Sequence, residues 1–428
     1  MVLRYQKPKG TADILPEESC HWQHIETVAQ EVFGNYQYHE IRTPLFEQYE
    51  VFARSSGDTS DVVSKEMYDF QDKGQRHMAL RPEGTAGVVR AYVENKLYGP
   101  EYVRPYKVWY HGPMFRYERP QAGRQREFNQ LGVEALGSDS AALDVESIAM
   151  AVEYLRRLGL KKYRVVLNTL GDQTTRTAYH QALLTYLEPL KDQLSSDSQT
   201  RLTKNPLRIL DSKDPQDQQI VAQAPSILDY LSPAAQSHFQ QVQELLQALH
   251  IDFEIDAQMV RGLDYYNHTI FEIMVQSQAF AGREMTIVAG GRYNGLVAEL
   301  GGPEVAGVGF ALGVERLLLL LENEQVPLPQ ISGPDVYLVN ADAASSVEVT
   351  RLVNELRQQG ISAERDYLDK KVKGQFKQAN RLQARYTLTI GTAELAAHQG
   401  RLKRMRDGKE LTVDLTQLAD LIAEVRKG

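Results

Sequence analysis

One segment of this 428-residue chain limits the possible folds more than any other. It is residues 109–136, WYHGPMFRYERPQAGRQREFNQLGVEAL. They read as two short strands, about Trp109–Tyr117 and Glu127–Leu136, joined by a charged loop. The second strand alternates an apolar set of side chains with a set that includes Gln130 and Glu134. The apolar set is Leu131, Val133 and Ala135. Because alternate residues of a strand point to opposite faces, we predict a hairpin with one core face and one polar face.

The polar face of this hairpin carries residues that suit a ligand. Gln130 and Glu134 would lie side by side near an aromatic ring and Arg116, and the loop adds Arg124 and Arg126. A solvated hairpin is the alternative interpretation. A surface strand, however, rarely needs an amide and a carboxylate at alternate positions beside an arginine. The pattern therefore favours a site for a planar, anionic ligand.

Length and composition limit the class of protein. A chain of 428 residues predicts two or three domains. The single cysteine, Cys20, excludes a disulfide framework within the chain and indicates a reducing cytosol. No apolar segment predicts a signal peptide, and the longest strongly apolar run, Leu317–Leu321, is too short to cross a bilayer. We therefore expect a cytoplasmic protein that does not enter membranes.

The formal net charge of −8 means that any nucleic-acid binding must depend on local basic patches. The segment Lys370–Arg385 is such a patch, with six lysines and arginines and no acidic residue. A solvated helix face is one interpretation. The other is a contact surface for a phosphate backbone, to which each neutralised phosphate adds salt-sensitive affinity.

Patterning along the chain predicts the domain organisation. Residues 1–325 form the main domain, and a glutamine-rich, mostly helical insertion occupies about 172–250. Residues 326–334, VPLPQISGP, read as a linker. In 335–428 strands alternate with helices, which predicts an α/β domain with a mainly parallel sheet.

Several local elements follow from spacing. Apolar residues at helical spacing predict helices at Glu17–Phe33, which Gly34 would end, and at Ser140–Leu158. Residues 67–81 predict a hairpin that turns at Lys73–Gly74. It leads into RPEGT and then a helix, so this motif would lie where backbone N–H groups are free to bind a ligand.

Five separated stretches are rich in residues that bind anions and polar ligands. They are RPEGT (81–85), FRYERPQAGRQREFNQLGVE (115–134), MVRGLDYYN (259–267), AGGRYNGL (289–296) and GVGFALGVER (307–316). Each alone has a structural explanation. Paired tyrosines often pack in cores, an arginine at a helix start is often on the surface, and paired glycines often form turns. None matches a dinucleotide fingerprint or a P-loop, and no nucleophile or metal-ligand motif is evident.

In this order and approximate spacing, the five stretches resemble class II aminoacyl-tRNA synthetases, and among them the histidyl-tRNA synthetases. The similarity extends over essentially the whole chain and includes NPLRILDSKDP (205–215) within the predicted insertion. It implies an α+β catalytic core built on an antiparallel sheet flanked by helices, a helical insertion and a C-terminal α/β anticodon-binding domain. HEIRTPLFE near the N-terminus resembles the dimer-forming motif of class II enzymes and implies a homodimer.

The resemblance also implies a reaction. Histidine and ATP, accompanied by Mg²⁺, form histidyl-adenylate, and the histidyl group then moves to the 3′ end of tRNA(His). Charge builds on phosphate oxygens in the first step, and fixed cations aimed at those oxygens favour it. We expect no metal ligands from protein side chains.

The resemblance assigns roles to individual residues of this chain. The catalytic residues would be Arg116 and Arg261. ATP would be bound by Arg116, Glu118, Phe128 and Arg316. Histidine would be bound by Glu83, Thr85, Gln130, Glu134, Tyr265 and Tyr266, among which Glu134 and Tyr266 would read the two imidazole nitrogens. tRNA would contact Arg124, Arg126, Lys373 and Lys377.

Three positions depart from the family pattern. Asn129 stands where histidine is common, Ala122 replaces a frequent lysine, and Asn294 replaces aspartate. Alternation points Asn129 away from the ligand face, and Ala122 weakens inferences about tRNA contacts of the loop.

Two other functions are compatible with the same core. One is the histidine-sensing regulatory subunit of ATP phosphoribosyltransferase, which generally lacks the anticodon domain and has degraded histidine motifs. The other is an RNA-binding module with a defunct core, which would have lost its phosphate-binding arginines. This chain retains the C-terminal domain, the histidine motifs and Arg116, Arg261 and Arg316. The synthetase is therefore the favoured reading.

Overall fold

The structure is a computed structural model that describes residues 5–56, 60, 62–121 and 123–427. Ala122, one of the three departures, lies outside the described residues. The chain divides into two compact units, Met1–Pro329 and Gln330–Gly428. The predicted boundaries of the catalytic domain, linker and anticodon-binding domain stay predictions.

The first unit contains ten α-helices and eleven strands within the described residues, besides a π-helical turn at Val62–Glu66 and short 3₁₀ turns. The helices are α1 (Pro16–Asn35), α2 (Tyr49–Ser56), α3 (Thr85–Glu94), α4 (Ala141–Arg157), α5 (Gln173–Leu187), α6 (Ser196–Lys204), α7 (Pro215–Val221), α8 (Pro233–Ala248), α9 (Leu296–Glu299) and α10 (Val314–Asn323). The strands are β1 (His39–Glu40), β2 (Phe46–Gln48), β3 (Asp69–Gln71), β4 (His77–Leu80), β5 (Tyr106–Phe115), β6 (Glu127–Leu136), β7 (Arg164–Thr169), β8 (Glu254–Ile255), β9 (Asn267–Gln276), β10 (Glu284–Arg292) and β11 (Gly307–Gly313).

An eight-stranded sheet forms the centre of this unit, in the order β1-β5-β6-β11-β10-β9-β7-β8. Its two short edge strands pair in parallel, β1 with β5 and β8 with β7, and the other five pairings are antiparallel. A separate small sheet, β2-β4-β3, contains the hairpin predicted at 67–81. The predicted antiparallel core is therefore confirmed.

The central hairpin is β5 and β6, and β6 has the predicted bounds. The predicted bounds of the first strand, Trp109–Tyr117, are wrong by a few residues, because β5 begins at Tyr106 and ends at Phe115. It ends early because the Tyr117 N–H donates to the carbonyl of Glu66, outside the hairpin, at 2.6 Å. The apolar side chains of β6 lie in the main core, as the alternation predicted. These are Leu131, Val133 and Ala135.

Helices α1 and α4 cover the apolar face of the sheet. Phe33 of α1 lies among the rings of Trp109, Tyr154 and Phe310, with centroids 5.4–6.1 Å apart. The Ser140 side chain caps α4 by accepting the Ala142 N–H at 3.3 Å. Both helices were predicted. The first runs two residues further than expected, through Gly34, because Asn35 still has helical conformation.

Residues 172–250 contain α5, α6, α7 and α8, joined by short 3₁₀ turns. A second apolar core includes Tyr179, Leu183 and Ile209 from this range. Helix α8 differs from the other three, since its Phe239 and Val242 belong to the main core. The assignment of the whole range as an insertion stays a prediction.

The second unit contains helices α11 (Ser346–Gln358), α12 (Val372–Arg381), α13 (Thr392–Ala396) and α14 (Leu418–Lys427). Its strands are β12 (Val336–Asn340), β13 (Ala363–Arg365), β14 (Tyr386–Ile390), β15 (Gln399–Arg404) and β16 (Glu410–Asp414), in the sheet order β13-β12-β14-β15-β16. The α/β class is confirmed. The prediction of a mainly parallel sheet is wrong. Strand β12 pairs in parallel with β13 and β14, but the hairpin β15–β16 joins the sheet through an antiparallel pairing of β15 with β14.

Among the described residues, no helix combines the length and the apolar character needed to cross a membrane.

Candidate active site

A cavity of about 300 Å³ opens on the polar face of β6. It is lined by residues from all five polar stretches, including every predicted ATP- and histidine-binding residue. These are Glu83, Thr85, Arg116, Glu118, Phe128, Gln130, Glu134, Arg261, Tyr265, Tyr266 and Arg316. Residues separated by more than two hundred positions in sequence therefore meet at one site.

Glu83 is fixed at one end of the cavity by the start of α3. Its two carboxylate oxygens accept the backbone N–H groups of Thr85, at 2.6 Å, and Ala86, at 2.8 Å. Burial raises the pKa of Glu83, and these two hydrogen bonds oppose that rise. The RPEGT motif thus lies at a strand-to-helix junction, as predicted. The expectation that the N–H groups there are free for a ligand is wrong for Thr85 and Ala86, because the Glu83 carboxylate accepts both.

Glu134 is 1% exposed and lies between two hydroxyl donors. The Thr85 hydroxyl donates to its Oε1 at 2.7 Å, and the Tyr293 hydroxyl donates to its Oε2. Burial raises the pKa of Glu134 to about 8. The hydrogen bonds from the two hydroxyl groups act to lower this pKa, whereas the negative charge of Glu83 raises it. Tyr293 was missed from the sequence, although it belongs to the AGGRYNGL motif.

A glycine on the neighbouring strand makes room for this carboxylate. Gly309 of β11 is directly paired with Glu134 of β6. A Cβ atom at Gly309 would lie 2.1 Å from the Glu134 Oε2 atom and 2.2 Å from the carbonyl oxygen of Val133. Glycine at position 309 of GVGFALG is therefore required by the close approach of a buried side chain.

The tyrosine pair forms the wall beside Glu134. The rings of Tyr265 and Tyr266 lie 4.6 Å apart, and Tyr265 also contacts Tyr293 at 5.7 Å. Both are almost fully buried. Gln130 lines the same region, and its Oε1 atom is buried with no hydrogen-bond partner among the described residues. A buried, unpaired acceptor is costly and suits a ligand that brings a donor.

The same cavity is also lined by a group of cationic side chains. The Arg116 guanidinium lies 5.3 Å from the Phe128 ring centroid, and its Nε donates to the Pro82 carbonyl at 2.8 Å. Arg316, at the start of α10, is mostly buried. Burial lowers its pKa, and the positive charges of Arg124 and Arg116 lower it further. Three guanidinium groups that repel one another favour a polyanion between them.

Arg261 approaches the cavity from the segment between β8 and β9. Its guanidinium forms an ion pair with Glu272, which also accepts the Thr286 hydroxyl at 2.5 Å. Burial acts to lower the pKa of Arg261, but Glu272 and Tyr266 outweigh it and the pKa is raised. Glu272 and Thr286 were missed, although a glutamate inside the apolar run TIFEIMV could have indicated the first.

Asn129 does not line the cavity, although its neighbours Phe128 and Gln130 do, as the alternation predicted. Its backbone N–H donates to both oxygens of Glu315, at 2.8 and 3.0 Å, and its side-chain amide donates to Oε1 at 3.2 Å. The departure at this position therefore affects the cavity only through Glu315, which lines it. Glu315 is another residue that the sequence did not assign, and it ties β6 to the start of α10.

The predicted tRNA contacts are divided between the two units. Arg124 lines the cavity and forms an ion pair with Glu118. Arg126 is stacked on the Tyr117 ring at 3.8 Å. Lys373 and Lys377 belong to the second unit, where both are exposed on α12. Their roles stay predictions. The described residues contain no group of three or more histidine, cysteine, aspartate or glutamate side chains suited to a metal ion.

Comparison with known proteins agrees with the geometry of the cavity. Residues 10–317 match the family model of histidyl-tRNA synthetase, and residues 335–425 match that of the anticodon binding domain. The histidine–tRNA ligase of Levilactobacillus brevis is 62% identical over 416 residues, which cover 97% of this chain and 96% of that protein. The enzyme of Lactiplantibacillus plantarum is 63% identical over 416 residues, with 97% and 98% covered.

A solved structure gives the same answer. The apo crystal structure of S. aureus histidyl-tRNA synthetase is 41% identical, with a TM-score of 0.85 and coverage of 98% of this chain and 99% of that one. An antiparallel sheet carrying a cavity with arginines at one end, together with an anticodon binding domain, defines an aminoacyl-tRNA synthetase. More narrowly, the chain belongs to the histidyl-tRNA synthetase family.

The raised pKa of Glu134 predicts a pH dependence of stability. Between pH 4.5, the ordinary pKa, and about 8, the folded protein keeps a proton that the unfolded chain releases. The free energy of unfolding should therefore lose this contribution as pH rises through that window. Urea denaturation at pH values from about 5 to 9 should show a smaller decrease for Glu134→Gln than for the unmodified protein.

Glu127→Gln is the matched control, because Glu127 is exposed on the same strand. It should leave the pH profile unchanged. Equal slopes for the unmodified protein and Glu134→Gln would contradict a carboxyl group that is protonated near neutral pH.

Proposed function

We propose that this chain is a histidine–tRNA ligase that joins histidine and ATP to form histidyl-adenylate and then transfers the histidyl group to the 3′ end of tRNA(His). The observation that carries the proposal is one cavity lined by two groups of side chains, the buried Glu134 with a tyrosine pair and the arginines Arg116, Arg124 and Arg316. The first group suits an imidazole, and the second suits a polyphosphate. The reaction joins two such ligands.

The first step requires two anions to meet. A carboxylate oxygen of histidine attacks the α-phosphorus of ATP, the bond from that phosphorus to the bridging oxygen breaks, and pyrophosphate leaves. Arg116 and Arg261 line the cavity from two sides and would bind the α-phosphate oxygens. Because both guanidinium groups are held by protein partners before substrate arrives, they need little reorganisation as charge develops.

The histidine end would select its substrate by hydrogen bonding. Glu83, Thr85 and the unpaired Gln130 oxygen would bind the α-amino group. Glu134 and Tyr266 would each bind one imidazole nitrogen. An amino acid lacking these nitrogens would leave buried polar groups unpaired, and such sites can discriminate by about 10⁴–10⁵ without editing.

The nucleotide end would hold ATP by stacking and by charge. Phe128 offers a ring face for adenine, with Arg116 beside it. Glu118 lies in the same wall, and Arg316 would bind the distal phosphates. Mg²⁺ would arrive bound to the ATP phosphates and neutralise part of their charge. Since the side chains here are mainly cationic, we assign it to the substrate.

We assign catalysis to residues 1–325, with an insertion at about 172–250 and a linker at 326–334, and tRNA binding to residues 335–428. The match of residues 335–425 to the anticodon binding domain supports this division. Lys373 and Lys377 on α12 are the proposed phosphate contacts, and Arg124 and Arg126 are the proposed contacts of the acceptor end. We also propose a homodimer, on the resemblance of HEIRTPLFE to the dimer-forming motif.

A cytoplasmic location is the proposal most compatible with these substrates and with Cys20, which is a free thiol. The regulatory-subunit alternative is less supported. The full-length relatives are ligases, and the family match extends into a second, anticodon-binding domain.

Histidine-dependent exchange between ATP and pyrophosphate tests the proposal. Radiolabelled pyrophosphate should enter ATP only when histidine is present, because the adenylate forms reversibly on the enzyme. The other amino acids serve as controls for specificity. A folded protein that shows no exchange with histidine would exclude the enzymatic function.

Replacing Arg261 by alanine should lower the exchange rate by about 10²–10³, because one preorganised phosphate donor is lost. Histidine binding, measured by calorimetry, should largely survive. Arg283→Ala is the matched control, since Arg283 is exposed nearby and does not line the cavity. Loss of histidine binding with an unchanged rate per bound substrate would contradict the role of Arg261.

Neutralising Lys373 and Lys377 to glutamine should make tRNA binding less sensitive to salt. Each lost phosphate contact should reduce the slope of log K against log[salt] by about 0.7–0.9. Lys373→Arg with Lys377→Arg keeps both charges and should preserve the slope. An unchanged slope in the glutamine variant would rule out α12 as a phosphate contact.

A further inference from the structure

The segment 256–266, between β8 and β9, carries Arg261, Tyr265 and Tyr266 but contains no helix or strand. Its backbone hydrogen bonds hold its first part: the Met259 N–H donates to the Asp256 carbonyl, and the Asp256 N–H donates to the Leu167 carbonyl of β7, both at 3.1 Å. Neither bond involves residues 261–264. Other parts of the protein must therefore hold it in place. The Glu272 ion pair holds the guanidinium end of Arg261, but it does not hold the backbone.

Two side chains from the predicted insertion contact this segment. The Nη1–H of Arg208 donates to the backbone carbonyl of Arg261 at 3.0 Å. The side-chain amide of Asn205 donates to Oδ1 of Asp264 at 3.0 Å. Arg208 Nε lies 4.0 Å from the same Asp264 oxygen. Both residues come from the NPLR portion of the motif NPLRILDSKDP.

The burial of Arg208 argues against a general surface role. Arg208 is 9% exposed, and a buried guanidinium is costly unless its donors are paired. Its own carbonyl accepts from Arg201 of α6 at 3.2 Å, so the donor is tied to the helix behind it. Gly262 is the residue next to Arg261, and a Cβ there would lie 3.7 Å from the Arg208 Nη1 atom. The arginine is therefore packed directly along the backbone of the segment.

Resting on the proposed function, we infer that Arg208 and Asn205 are positioning residues that hold the backbone of the 261–264 segment so that Arg261 points at the reacting phosphate. They touch the backbone of Arg261 and the side chain of Asp264, and they act through the segment. The insertion would thereby be coupled to the first chemical step, since a displacement of 205–208 moves the donor of the α-phosphate contact.

Kinetics of pyrophosphate exchange test this inference. Arg208→Ala should lower kcat by about 10- to 100-fold, because a shift of about 1 Å at a reacting group costs that much. The KM for histidine should change by less than about twofold, because the amino-acid contacts are elsewhere. Arg208→Lys, which keeps one donor for the Arg261 carbonyl, should recover part of the loss. Arg176→Ala, on α5 of the same range, is the matched control and should be neutral.

A double-mutant cycle separates positioning from general destabilisation. If Arg208 acts through Arg261, then adding Arg208→Ala to Arg261→Ala should cost less than about twofold more. If its effect multiplies fully in that background, the inference is overturned. Absence of exchange in the unmodified protein would overturn the proposed function and this inference with it. Normal exchange in Arg208→Ala would overturn the inference alone.

The Asn205–Asp264 pair provides a variant that keeps the protein folded. Asn205→Asp alone places two carboxylates against each other and should lower kcat. Combining it with Asp264→Asn restores one amide donor and one carboxylate acceptor with exchanged roles, and kcat should recover by more than about threefold. Failure of the exchanged pair to recover, with thermal denaturation showing a folded protein, would contradict positioning by this contact.

Discussion

The burial of Glu134 on the polar face of a core sheet is the constraint on which this site depends. A carboxyl group at 1% exposure must be either protonated or well paired, and here both occur. Its hydroxyl donors come from α3 and from the end of β10, and its space comes from Gly309 on β11. Three elements far apart in sequence are thus fixed by the needs of one side chain. A buried carboxyl group beside a wall of tyrosines is the arrangement on which the proposed selection of a ligand with ring nitrogens depends.

The cationic side chains of the cavity are held in an unfavourable arrangement of like charges. Arg116, Arg124 and Arg316 repel one another in a partly buried space, and Glu118 compensates them only in part. The two groups of side chains share one cavity but need different partners. Gln130 needs a hydrogen-bond donor, and the arginines need an anion. Histidine and ATP bound side by side would supply an amine donor to the first and a polyphosphate to the second. This explains why the chemistry of adenylate formation fits a site whose parts look unfavourable in isolation.

Local periodicity was enough to predict much of the fold. The alternation in β6 and the apolar spacing of α1 and α4 gave elements with nearly the observed bounds, because each buries one regular face. Local periodicity could not predict which strands pair with each other. The contact that ends β5 is a hydrogen bond to Glu66, and the antiparallel addition of β15 depends on a hairpin that joins a parallel sheet. The roles of Tyr293, Glu272 and Arg208 were missed for the same reason, since each depends on a long-range contact rather than on a repeating pattern.

Loop residues in this enzyme depend on support from outside the loop, and this bears on why the core sheet carries an insertion at all. Arg261 lies on an irregular segment whose backbone is held at Met259 by Asn168 of β7, at 2.9 Å, and at Arg261 by Arg208. The first anchor belongs to the central sheet, whereas the second belongs to residues 205–208, whose neighbour Ile209 shares an apolar core with Tyr265 and Tyr266 of the segment itself. Arg261 therefore keeps its position only while both anchors keep theirs. Among the described residues, none from 172–250 lines the cavity. This range supports the segment from behind, because removing the Arg208 side chain would take away the donor that the Arg261 carbonyl accepts.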